Sequence, residues 1–89
     1  MNYNLAKKLK IAGLTNIRHW FNAPDNEMLP EPLLEELIEA CGDKFCELSK
    51  GQKPIDHAWT AQGYPIETMY AHGDTPEEAV SNLYLKIKS

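Results

Sequence analysis

The side chains with the chemistry of a metal ligand or a nucleophile are Cys41, Cys46, His57 and His72, with His19 beside Trp20. A tetrahedral metal site needs four such groups brought together, and its sequence mark is two close pairs. Here Cys41 and Cys46 stand five apart with Gly42 between them, and there is no second close pair. The spacing therefore favours two structural thiols, since a free cysteine usually packs as a small hydrophobe. Cysteine catalysis would need a histidine held against the thiol, and no local spacing supplies one. Glu35, Glu36 and Glu39 sit too close in sequence to face each other across a cleft, as paired acids in glycoside hydrolysis must. The chain has no glycine-rich phosphate loop and no serine in a nucleophile elbow. We therefore expect no enzymatic activity, no cofactor and no metal.

The aromatic residues are the more informative remainder. Two Trp, four Tyr and two Phe are many for 89 residues, and aromatic side chains anchor interfaces as well as cores. Trp59 and Tyr70 fall in neighbouring extended segments, where a cross-strand aromatic pair is expected. With Trp20 they form the candidate interaction face.

The elements that must position these groups follow from periodicity. Residues 4–12 read as a helix, with Leu5, Leu9 and Ala12 on one face, Asn4 as N-cap and Gly13 after its end. Residues 16–21 read as a short extended segment, and 22–29 as a surface loop around Pro24-Asp25-Asn26. A second helix has Pro32 in its first turn, Leu33, Leu34, Leu37, Ile38 and Cys41 as its apolar stripe, and Gly42 as its stop. Three strands follow, over 44–49, 55–62 and 66–72, joined by short turns at Lys50-Gly51 and Tyr64-Pro65. The last helix, 75–88, has the strongest start signal in the chain. Thr75 is its N-cap, Pro76 occupies N1, and Glu78 at N3 completes a capping box.

This order predicts a single α+β domain over residues 1–89, a three-stranded antiparallel meander packed against helices. Its helix-strand-strand-strand-helix order resembles that of the double-stranded RNA-binding domain. One sheet face takes the apolar stripes of the last two helices, and the other stays open.

Composition narrows the partners. The chain is 43% hydrophobic and 25% charged, with a formal net charge of −4. Lys7, Lys8, Lys10 and Arg18 lie in an N-terminal stretch without acids. Asp25, Glu27, Glu31, Glu35, Glu36, Glu39 and Asp43 lie in one without Lys or Arg. An acidic balance argues against binding phosphates. RNA-binding domains of the order above grip phosphate with lysines at the start of their last helix, where this chain has Glu77 and Glu78. No stretch has the length and apolarity of a membrane span. Met-Asn-Tyr-Asn-Leu has no apolar signal-peptide core. A cytoplasmic location with reduced thiols is the expectation. A small domain gains from pairing, so a protein partner, a second copy among the candidates, is expected.

The stretch Leu34-x-x-Leu37-Ile38-Glu39-Ala40-Cys41-Gly42-Asp43-x-Phe45, then Trp59-x-Ala61, then Gly73-x-Thr75-Pro76-Glu77-Glu78-Ala79-Val80-x-x-Leu83-Tyr84-Leu85, resembles a group of small uncharacterised proteins of phages and prophages. The N-terminal Leu5-Ala6-x-x-Leu9-Lys10-x-Ala12-Gly13 is similar to the same group. The resemblance covers most of the chain and implies a phage or prophage accessory protein without a known activity. Gly73 to Leu83 alone is similar to the strand-to-helix passage of HicB-like antitoxins. That likeness implies a compact sheet-plus-helix module that binds a toxin.

Overall fold

The computed structural model describes residues 3–50 and 59–89. The last helix, α3 (Pro76–Lys88), forms where its start signal predicts. Thr75 Oγ1 accepts the backbone N–H of Glu78 at 3.1 Å, which satisfies one of the first-turn donors. The Glu78 carboxylate reaches back to the N–H of Asp74 at 3.5 Å, one residue before the expected partner. Its inward stripe, Ala79, Val80, Leu83 and Tyr84, is buried.

Beneath α3 lies the expected meander: β3 (Phe45–Lys50), β4 (Trp59–Gly63) and β5 (Tyr70–Gly73), antiparallel with β4 in the centre. Glu47, Leu48, Ser49 and Lys50 face Gln62, Ala61, Thr60 and Trp59, and a bulge separates Phe45 from Glu47. Trp59, Thr60, Ala61 and Gln62 face Gly73, His72, Ala71 and Tyr70 across the other ladder. Alternation sends Leu48, Trp59, Ala61 and Ala71 toward the helices and leaves the intervening residues on the other face. The strand expected over 55–62 is described from Trp59 onward, and its first part lies outside the described residues. The strand expected over 66–72 begins only at Tyr70. Pro65 O instead accepts the N–H groups of Thr68 and Met69 in a turn.

The helix α2 (Leu34–Cys41) lies against α3. Pro32 does not enter its first turn as expected. Leu33 is the N-cap residue and has no side-chain acceptor, so the Glu36 carboxylate takes over the capping. It accepts the N–H of Leu33 at 2.8 Å and that of Arg18 at 2.9 Å. Gly42 ends the helix with φ 60°, a left-handed conformation that costs glycine little. Leu9, Leu14, Leu37, Cys41, Ala61 and the α3 stripe form the main core.

The segment expected as a loop over 22–29 instead belongs to a hairpin. β1 (Trp20–Asn22) pairs with β2 (Met28–Pro30), so the extended segment expected over 16–21 becomes a strand only at its end. Asn26 takes φ 67° at the tip, a conformation asparagine tolerates. Ala23 donates to Glu27 O, and Asp25 Oδ1 accepts the N–H of Glu27. Three-residue strands are too short to show alternation. Tertiary packing holds them: α1 (Tyr3–Ile11) lies on the hairpin through Ala6, Ala23 and Leu29, a small second core. Lys7 and Lys10 both reach Glu27, at 3.6 and 3.1 Å. No helix among the described residues is long and apolar enough to cross a membrane.

Candidate functional site

The helices cover one face of the three-stranded sheet, and the register fixes what the other presents. Two cross-strand rows lie side by side: Ser49, Thr60 and His72, then Glu47, Gln62 and Tyr70. In the first row Thr60 Oγ1 and His72 Nδ1 are 2.9 Å apart and share a hydrogen bond, which orients the imidazole. In the second, the Tyr70 ring meets the His72 ring edge-on at 5.8 Å between centroids. Ile66, from the turn before β5, closes one end of a shallow groove of about 410 Å³ along these rows. Tyr64, Ile66 and Tyr70 are 49%, 47% and 43% exposed. They are among the largest apolar side chains left in solvent.

The lip of the sheet beside Tyr70 is finished by α3. Lys86 Nζ donates to Tyr70 O at 3.1 Å and stands 4.8 Å from the centre of its ring. Asn82 Nδ2 donates to His72 O at 2.8 Å. Both carbonyls of the β5 edge are thereby occupied, and Tyr70 is held in place by its neighbours.

The three residues of the expected interaction face lie in three different places. Tyr70 is on the open face. Trp59 is on the helix-covered face, half-buried against the main core, with Lys50 Nζ 5.7 Å from its ring centre. Trp20 is half-buried in the β1–β2 hairpin. The expected Trp59–Tyr70 pair does not form, because Trp59 faces Gly73 and Tyr70 faces Gln62 on opposite sides of the sheet. Gln62, Ser49, Glu47 and Ile66 were not singled out by chemistry. The signal that places Gln62 with Tyr70 is the alternation of both strands, once the register is known.

Both thiols are free. Cys41 is buried in the main core, and burial pushes its thiol up to about 11. The neighbouring Tyr84 hydroxyl is also raised, by burial first and then by Cys41. Cys46 is half-buried at the β3 bulge and bonds the Tyr64 hydroxyl, which raises that phenol. His57 lies outside the described residues. No group of three or more His, Cys, Asp or Glu among the described residues could hold a metal ion. Glu36 is held below the usual carboxylate range by the Leu33 N–H, and further by the N–H and guanidinium of Arg18. It is a fastener between α2 and the segment before β1.

A second concavity, of about 490 Å³, opens where α1, the passage into α2 and the start of α3 meet. Its floor is Leu5 and Pro32, with Leu33 and His19 at its sides, and its rim carries Glu31, Glu77 and Glu78. These segments are far apart in sequence, so no local pattern announces the cleft.

The antitoxin-like string from Gly73 to Leu83 is accounted for by folding chemistry. Thr75 caps α3, Ala79 and Leu83 are core, and Gly73 lets the sheet approach the helix. A Cβ there would run into the backbone of Glu78 and Ala79. Comparison of the chain with protein families, with curated proteins and with solved structures found no match in any of the three.

Proposed function

We propose that this is a small non-enzymatic accessory protein, of the phage or prophage kind its sequence resembles, that works by binding a protein partner through the open face of β3–β4–β5. The observation that carries the reading is the pair of exposed apolar side chains Ile66 and Tyr70 in the groove of an otherwise polar sheet face. Interfaces place aromatic and aliphatic anchors beside a hydrogen-bonding rim. Gln62, Ser49, Glu47 and His72 supply donors and acceptors in fixed rows next to those anchors. Tyr70 is also pre-ordered by Lys86, which lowers the entropy lost on docking.

The test is site-specific photo-crosslinking in bacterial cells, with the reactive amino acid at Gln62 on the open face or at Glu35 on the exposed side of α2. The expected result is one discrete protein adduct from position 62, absent from position 35 and lost when Ile66→Asp is added. Identical adducts from both positions, or an adduct from position 62 that survives Ile66→Asp, would refute the assignment of the face.

A further inference from the structure

The cleft between α1 and α3 is separate from the open sheet face, and no residue lines both. Its make-up is unusual for a surface hollow. Leu5 and Pro32 are buried beneath it, and Leu33 is 39% exposed at its side. Above this apolar floor stand three carboxylates, from Glu31, Glu77 and Glu78, and no Lys or Arg shares the lining.

The carboxylates are not spent on neighbours. The ion pairs among the described residues go to Glu27 and Glu36. Glu78 accepts one backbone N–H, from Asp74 at the long distance of 3.5 Å. Glu77 and Glu78 also suit the positive end of α3. That role does not account for Glu31, which belongs neither to α3 nor to its cap and yet shares the rim.

An apolar floor under an anionic rim complements a side chain with an apolar stem and a cationic head. A planar guanidinium can bond two carboxylates at once, whereas an ammonium acts as a point charge. We propose that this cleft receives an arginine side chain of a partner protein, its methylenes on Pro32 and Leu33 and its guanidinium between Glu31 and Glu77. The volume of about 490 Å³ holds one such side chain with part of its backbone. The charge complementarity is one-sided, so binding weakens as salt rises.

The proposal is tested by NMR titration of the full chain with the blocked peptide acetyl-Ala-Leu-Arg-Leu-Ala-amide. A second peptide carries citrulline, the neutral isostere, in place of arginine. The expected result is saturable shifts at Leu33 and Leu5 with the arginine peptide, weakened roughly tenfold by citrulline and by the Glu31→Gln/Glu77→Gln double variant. Neither substitution touches the Thr75 cap. Glu31→Gln alone, outside any helix, gives a smaller loss and serves where the double variant unfolds. Equal affinity for the two peptides, unchanged affinity of the variants, or no saturable shift at Leu33 would overturn it. Each of these results leaves the sheet-face crosslink unaffected, so the two readings fail separately.

Discussion

Raising the pH should destabilise this protein through one buried thiol. Cys41 packs among the main-core residues at 4% exposure, and burial lifts its thiol from 9.0 to about 11. Between these values the folded chain keeps the thiol proton and the unfolded chain has lost it. The native state then binds more protons than the unfolded state, so stability falls as pH rises. Below pH 9 both states are protonated and the effect vanishes. The gap from 9.0 to about 11 corresponds to roughly 2–3 kcal/mol, lost by about pH 11, with about half gone by pH 10. In a domain of this size that is a large share of the total. The assay is urea denaturation followed by tryptophan fluorescence at intervals from pH 8 to 10, in parent and Cys41→Ala chains. Tyr84 is shifted the same way, but from 10.0 rather than 9.0, so the thiol dominates the lower part of the window and the comparison with Cys41→Ala separates the two. The variant should start about 1 kcal/mol less stable from the lost packing and show a much flatter slope. A slope equal in both chains would refute the assignment to Cys41.

Leu83→Ala should cost about 2–5 kcal/mol, since Leu83 is fully buried and the cavity cannot collapse between α3 and the sheet; chemical denaturation measures it, and a loss below about 1 kcal/mol would contradict the packing. Thr75→Ala should cost about 1 kcal/mol, and Thr75→Asp, which keeps an acceptor for the Glu78 N–H, should restore most of it in the same assay. Gly73→Ala should lower the melting temperature more than an Ala substitution at exposed Asp74 does, because its Cβ would meet the backbone of Glu78 and Ala79.

What could be read from the sequence was what is decided locally. The Thr75-Pro76-Glu77-Glu78 start fixes α3 because every partner lies within one turn. The stripe of Leu37 and Cys41 and the stop at Gly42 fix α2 in the same way. The β1–β2 hairpin escaped because three-residue strands show no period, and α1 holds them from elsewhere in the chain. The start of α2 was misplaced because its cap is not a side chain at the N-cap position. It is Glu36, which also anchors the distant Arg18 N–H. The site was half visible. Alternation correctly puts Tyr70 with His72 and Thr60 with Gln62, but facing between strands depends on the connection. The turn before β5 is longer than the Tyr64-Pro65 pair suggests and brings Tyr70 opposite Gln62. Trp59 therefore lies on the helix-covered face, half-buried against the core.

The treatment of the sheet edges says which part of the sheet is left to act. An unpaired edge invites another strand, and proteins blunt it with charge, bulges or cover. On β5, Lys86 and Asn82 occupy the carbonyls of Tyr70 and His72, so an incoming strand would first have to break two bonds. Each is worth about 1 kcal/mol, more where the donor is charged. On β3, the bulge before Glu47 interrupts the ladder, and Glu47 and Lys50 charge the strand. Strand addition is disfavoured on both sides by different means. The face between the edges has no such defence. It presents ordered hydrogen-bonding rows and two exposed apolar side chains, Ile66 and Tyr70. A partner that docks on the face leaves both edges as they are, and this is why the crosslinking position is Gln62, in the middle strand, rather than a residue of β3 or β5.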